Sequence, residues 1–314
     1  MIKIFKTDDT NNTLSEIENI EIDSWINVVE PSLDEIKKLS IDLQIDETYL
    51  TRLIDEEEPA KLEVKEDLQL IILDVPKTIK NKNYSVNVTT PLTILQVRNK
   101  YIVTICLKNS DLLNDFVENK VPDFHTGKKS RFTFQIINKI ASKYIKDLKN
   151  INEQIEKAEN YMKKSTQNSD LLKLMHLRKS LVYFTTSLKS NEIILDRINK
   201  SNVITLYEED KDVLESAIVE HKQAIEMAEI YNSLLNNTID TFGTIISNNL
   251  NNVMKILASF TIVISIPTMV ASFMGMNIPL GIFSSNSASF FVIIIISIML
   301  SVFVAYILKK KNML

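Results

Sequence analysis

Six small or hydroxyl-bearing residues, Ala258, Thr261, Ser265, Thr268, Ser272 and Gly275, follow one another at steps of three and four. That spacing puts them on one face of an α-helix. Such a face does one of two things. It lets a second membrane helix approach closely, or it is the wall of a water-lined pore. Spacing alone leaves both readings open. Asparagines crowd the segment just before it, at 236, 237, 248, 249, 251 and 252. They are either the bias of a chain rich in Asn, Lys and Ile, or a ring of amides at the mouth of a water-filled passage.

Other chemistries are poorly supplied. The carboxylate runs at 55–58 and 208–210 read as helix-end and surface charge, and Glu215 and Glu220 as a solvated helix face. No nucleophile–base pair can be assembled from the sequence, so no enzyme is expected. His125, His176 and His221 are widely spaced, and with the single Cys106 they make no recognisable zinc site. His221 falls on an apolar helical stripe and reads as a core histidine. Cys106 ends an apolar strand-like run and reads as a buried thiol. Gly127, Gly243, Gly275 and Gly281 are the only glycines, too sparse for a phosphate loop or a dinucleotide fingerprint. No nucleotide partner is expected. With 36 Lys+Arg against 40 Asp+Glu, a net charge of -4 speaks against nucleic acid.

The elements that carry the small-residue face are membrane-like. No Lys, Arg, Asp or Glu occurs from Ile256 to Leu308, so every charge lies outside that stretch. Two segments in it are long enough to span a bilayer, 254–276 and 288–308, since a spanning helix needs about 20 apolar residues. Between them, 277–287 is a short loop without Lys or Arg. Lys255 precedes the first span, and Lys309, Lys310 and Lys311 follow the second. The positive-inside rule puts both flanks in the cytoplasm. The second span is Val/Ile/Leu/Phe-rich all round and suits a lipid-facing helix. Pro267 falls inside the first, where a proline either kinks the helix or frees a carbonyl. A single hairpin cannot enclose a pore, so a water-lined face requires a homo-oligomer. The N-terminus lacks the apolar core of a signal peptide.

The charged part reads as an α+β cytoplasmic domain over 1–125, then long α-helices over 126–253, then the hairpin and a basic tail, 309–314. Ser24–Val29, Leu68–Val75, Tyr84–Thr89, Leu92–Val97 and Tyr101–Cys106 read as strands of a mostly antiparallel sheet. Ser32–Leu43 reads as a helix, with Ser32 and Glu35 in capping-box positions, and Asp46–Ile54 as another. Ile137, Ala141, Tyr144, Leu148, Ile151, Ile155 and Ala158 form one helical stripe. A second helix is expected from Asp170 to about Ile198. A third runs from about Glu208 to Met274, roughly 100 Å at 1.5 Å per residue.

The first span ends in SerPheMetGlyMetAsnIlePro, 272–279. GlyMetAsn at this place, closing the first of two C-terminal spans, resembles the signature of the CorA family of divalent-cation channels. AsnAsnValMetLysIleLeu at 251–257, TrpIleAsnValValGluProSerLeuAspGluIle at 25–36, LeuIleAspGluGluGluProAlaLysLeuGlu at 53–63 and the closing lysines are similar to that family as well. The resemblance implies a homopentameric Mg²⁺ channel with a cytoplasmic funnel, in a bacterial-type plasma (inner) membrane. It implies a selectivity filter at Gly275, Met276 and Asn277, with Asn277 meeting the ion through its hydration shell. It implies a pore lined by Asn251, Met254, Leu257, Thr261, Ser265, Thr268 and Ser272, in which Met254 and Leu257 form a hydrophobic constriction. The chemistry agrees. Mg²⁺ gives up its water reluctantly, and neutral amide oxygens can accept hydrogen bonds from that water. Gly275 would leave room for the chain to turn. A divalent ion crossing 100 mV gains about 4.6 kcal/mol, so no ATP is needed.

This sequence departs from the family pattern in three places. The loop after GlyMetAsn carries no carboxylate, Val75 to Ser110 contains no Asp or Glu, and Ser265 stands where a bulkier residue is often found. Glu215 and Glu220 are the stalk carboxylates left for a regulatory site, and Asp240 is placed to attract an exiting cation. Zn²⁺, or Co²⁺ and Ni²⁺, on the same fold is the first alternative. A membrane-tethered helical scaffold that conducts nothing is the second.

Overall fold

The structure is a computed structural model that describes residues 1–8, 10–56, 58–65, 67–80, 85–108, 111–162, 168–201, 204, 207–276 and 288–313. An N-terminal hairpin, β1 (Ile2–Thr7) and β2 (Leu14–Ile17), leads to β3 (Trp25–Val29). Two helices follow, α1 (Leu33–Leu43) and α2 (Glu47–Arg52). The capping box at α1 is complete: Ser32 Oγ accepts from Glu35 N at 3.2 Å, and Glu35 Oε2 accepts from Ser32 N at 2.9 Å. Then come β4 (Lys61–Lys65), β5 (Leu68–Lys80), β6 (Ser85–Val97) and β7 (Tyr101–Cys106). The order across the sheet is β2-β1-β3-β7-β6-β5-β4. Every pairing is antiparallel except β3–β7, which is parallel because α1 and α2 lie on the crossover between them.

Both sheet faces are covered, which is why β3 is buried along almost its whole length. On one face Ile26, Val28, Leu70, Leu95 and Val103 pack with Ile36, Leu39 and Leu43 of α1 and Leu50 of α2. The opposite face of β3 presents Trp25. Its ring packs edge-on to Phe116, of the short α3 (Asn114–Val117), and to Phe124 and Phe132. Trp25 Nε1 donates to Thr104 Oγ1 at 2.8 Å, so the buried indole loses no hydrogen bond. Two 34-residue helices, α4 (Lys129–Met162) and α5 (Asn168–Ser201), lie against β5 and β6. The α4 stripe from Ile137 to Ala158 is buried. Residues 126–238 thus pack with the sheet into one unit, Met1–Thr238.

The structure differs from the sequence reading at β6. Two strands were expected, broken near Pro91, yet β6 runs unbroken through it. Pro91 lies opposite Asp74 of β5, and β7 pairs with β6 only from Leu92 onward. Asp74 needs nothing from Pro91. Its N–H donates to Asn191 Oδ1 at 2.9 Å, and its carbonyl accepts from Asn191 Nδ2 at 2.8 Å and Tyr144 Oη at 3.0 Å. The missing proline donor therefore leaves no hole in the ladder. The β1–β2 hairpin and β4 were not foreseen.

The second unit, Ile239–Leu314, holds the end of α6 (Lys211–Met274) and all of α7 (Ala288–Lys310). Both helices are long and apolar enough to cross a membrane. Beyond Leu257, the shielded positions of α6 are Ser259, Val263, Ile266, Val270 and Met274, at steps of three and four. Those of α7 are Ile293, Ser297, Ser301, Val304, Ala305 and Leu308. The two stripes are the shielded faces of the two helices, and Ser259 at one end of the α6 stripe donates to Met313 O just past α7. The helix expected to be uniformly lipid-facing thus carries the small packing residues, Ser297, Ser301 and Ala305 at four-residue spacing.

Candidate functional site

Every expected pore-lining residue lies on α6, and its chain leaves every one exposed. Met254 is 56 % exposed and Leu257 59 %. Asn251, Thr261, Ser265, Thr268 and Ser272 are exposed too, as are Ala258 and Gly275. At 3.6 residues per turn these positions fall within about a third of the helix circumference. That arc lies roughly opposite the stripe that meets α7. The small-residue face is therefore not what packs the hairpin. Among the clustered asparagines, Asn251 falls on this arc, whereas Asn249 and Asn252 point well away from it.

The hydroxyls on this face have a defined polarity. Thr261 Oγ1 donates to Leu257 O at 2.9 Å, Ser265 Oγ to Ile262 O at 2.8 Å and Thr268 Oγ1 to Ile264 O at 3.2 Å. Each proton is spent on the helix's own backbone, and each oxygen keeps lone pairs facing outward. A hydrated cation presents water hydrogens, so a face of acceptors suits it and suits an anion poorly.

The filter residues divide. Gly275 donates its N–H to Ala271 O at 3.0 Å and closes the helix. A Cβ placed there would make only ordinary contacts, nearest 3.5 Å from Ala271 O. Among the described residues nothing requires glycine at 275, and the tight turn expected beside it falls on 277–287, outside the described residues. Met276 is 51 % exposed. Asn277 and the loop to 287 lie outside the described residues.

The carboxylates are scattered. Glu215 is exposed on α6. Glu220 accepts from Ser142 Oγ of α4 at 2.5 Å and so serves helix packing in its own chain. Asp240 is exposed. Among the described residues no group of three or more His, Cys, Asp or Glu is placed to hold a metal. His221 is buried, with Nε2 2.9 Å from Leu188 O, and burial lowers its pKa so that it stays neutral. Burial raises the pKa of the Cys106 thiol, which donates to Lys108 O at 3.0 Å.

Sequence reasoning missed three buried groups. Burial pushes the Asp74 carboxyl up, partly offset by a hydrogen bond with Ser187. Burial likewise raises Asp147, opposed by Lys143. Ser259 is wholly buried on α6 and donates to Met313 O at 2.9 Å. Periodicity does not pick out Asp74 or Ser259, because each depends on a partner far along the chain.

Comparison with known proteins fits this arrangement. The Cobalt/magnesium transport protein CorA of Methanocaldococcus jannaschii is 24% identical over 292 residues, 92% of this chain and 90% of the relative. The complete structure of the CorA magnesium transporter from that organism superposes with a TM-score of 0.81 at 22% identity, covering 97% of this chain and 96% of the other. The cytoplasmic domain of ZntB from Vibrio parahaemolyticus has a TM-score of 0.58 at 14% identity, covering 79% of this chain and 97% of that domain. The family model described as CorA-like Mg2+ transporter protein matches residues 23–310. With its two apolar helices and its acceptor-lined face on α6, the chain belongs to the CorA family of divalent-cation transporters.

Proposed function

We infer that the chain is a Mg²⁺ channel in which several copies turn the uncovered face of α6 toward a common axis. The observation that carries this is the disposition of that face. It is polar or small, its hydroxyl oxygens point outward as acceptors, and its own hairpin partner covers the opposite side. One hairpin cannot close a passage, so the assembly is a homo-oligomer, with five copies as the family resemblance implies. Residues 254–276 and 288–308 are the spans, 277–287 the outer loop and 309–314 a cytoplasmic tail. Residues 1–253 lie in the cytoplasm. No bond is made or broken, and the membrane potential drives the ion inward.

Hydrated Mg²⁺ meets Asn277 and the filter at Gly275 and Met276, then the hydroxyls of Ser272, Thr268, Ser265 and Thr261. It then passes Leu257, Met254 and Asn251. The apolar ring at Met254 and Leu257 gates by excluding water. Asp240 lies beyond it and attracts the leaving ion. Replacing Ser265 by a bulkier residue would narrow the passage. The printed name of the M. jannaschii relative includes cobalt, so Co²⁺ is the second ion to test. A filter that holds the hydration shell discriminates weakly by ligand type.

The test is uptake of Mg²⁺ into liposomes under an inside-negative potential. Thr268→Val keeps the shape and removes the acceptor, and uptake should fall about tenfold, the loss of one hydrogen bond to a charged group. Asn277→Ala should fall at least as far. Uptake unaffected by both substitutions, in an oligomer shown to be folded, contradicts the reading. Inhibition by Zn²⁺ alone would move the assignment to Zn²⁺.

A further inference from the structure

Ser259 breaks the pattern of its neighbours. Thr261, Ser265 and Thr268 return their hydroxyl protons to their own helix, but Ser259 Oγ donates to Met313 O, 54 residues away. The chain reaches it by a built reversal. Lys311 N–H donates to Ile307 O at 3.1 Å, Met313 N–H donates to Leu308 O at 3.0 Å, and Asn312 sits at φ 55. That is a left-handed helix stop of the Schellman kind, and it folds the C-terminal residues back onto α6.

The consequence is electrostatic. Lys255 lies one turn before Ser259, about 6 Å along the helix. Lys309, Lys310 and Lys311 lie within four residues of Met313. All four lysines are exposed. The one Asp or Glu in this unit, Asp240, stands about 22 Å along α6 from Lys255. The latch therefore brings the stretch that bears Lys309–Lys311 back to the turn of α6 that follows Lys255, with no side-chain counter-charge in the unit within about 20 Å along α6. Left unscreened beside the passage, these lysines would repel the cation that must leave there.

We propose that Ser259 latches the C-terminal turn to α6 and thereby builds, from Lys255 and Lys309–Lys311, a docking surface for an anionic phospholipid headgroup. The occupant follows from charge and place. Four cations stand where both apolar spans end, which is the level of the headgroups, and lipid phosphates offset their charge without leaving the membrane. The proposal rests on the membrane reading above.

The full chain is reconstituted in nanodiscs of phosphatidylcholine, with or without phosphatidylglycerol. Thermal unfolding and native mass spectrometry of retained lipid are followed. Wild type should retain phosphatidylglycerol and unfold at a higher temperature in its presence, and inorganic phosphate should not substitute. At about fivefold per lysine, Lys309→Gln, Lys310→Gln and Lys311→Gln together should weaken lipid retention about a hundredfold. Ser259→Ala should reduce retention and open the tail to trypsin at Lys309–Lys311. Ser259→Thr, which keeps a hydroxyl, should behave as wild type. A triple variant as dependent on phosphatidylglycerol as wild type overturns the docking surface. Ser259→Ala as trypsin-resistant as wild type overturns the latch. Wild type that does not stay in the discs contradicts the membrane reading, and this proposal with it.

Discussion

Hydroxyl direction is the residue-scale fact on which the function depends. Thr261, Ser265 and Thr268 were legible as one face from their spacing, but spacing does not say whether a face packs or is wetted. In the structure Val263, Ile266 and Val270 are the shielded stripe of the helix, and the hydroxyl face lies outside it. Asp74 shows the opposite limit. Nothing in its sequence context marks a half-buried carboxyl, since the helix that buries it lies over 100 residues away. Burial raises its pKa above that in the unfolded chain. The stability tied to its protonated form is whole below the unfolded-state value and is lost as pH rises through the folded-state value. Asp74→Asn should therefore unfold at a higher temperature than wild type at neutral pH. The gap should close as pH falls into the carboxylate range. A gap that stays constant with pH would show that the carboxyl titrates as freely in the fold as out of it.

Elements were read best where their signals are local. The α1 capping box needs only Ser32 and Glu35, and the β6–β7 hairpin only a three-residue connection, Arg98 to Lys100. Within it Arg98 and Asn99 sit at φ 49 and 51, the left-handed pair that suits the strand twist. Pro91 defeated the reading because its tolerance is decided by Asn191, which holds the backbone of Asp74 from α5. Asn191→Ala should cost about 1–3 kcal/mol in chemical denaturation by leaving the Asp74 N–H unmatched. A loss within error would mean that water replaces the amide. The α7 stripe was hidden for another reason. Ser297, Ser301 and Ala305 sit in a helix so apolar that period carries no contrast, and only burial distinguishes its faces.

For the whole molecule, the two-span ending and the GlyMetAsn motif already pointed to a family, and the match over 23–310 establishes it. The order of charged unit, long helix and apolar hairpin was legible because the charge-free stretch is sharply bounded. Assembly was not legible, because periodicity marks a face and never counts its copies. The central claim is that the α6 face left bare by one chain becomes the wall of the ion path. Cysteine scanning tests it most directly. Cys106→Ser first removes the one native thiol. Single cysteines at Thr261, Ser265, Thr268 and Ser272 are then compared with cysteines at Val263 and Val270, using a charged, water-soluble thiol reagent during Mg²⁺ uptake into liposomes. The account predicts that the reagent blocks uptake at the first four positions and leaves it intact at the other two. Block at Val263 and Val270, with none at Thr268 and Ser272, would contradict it.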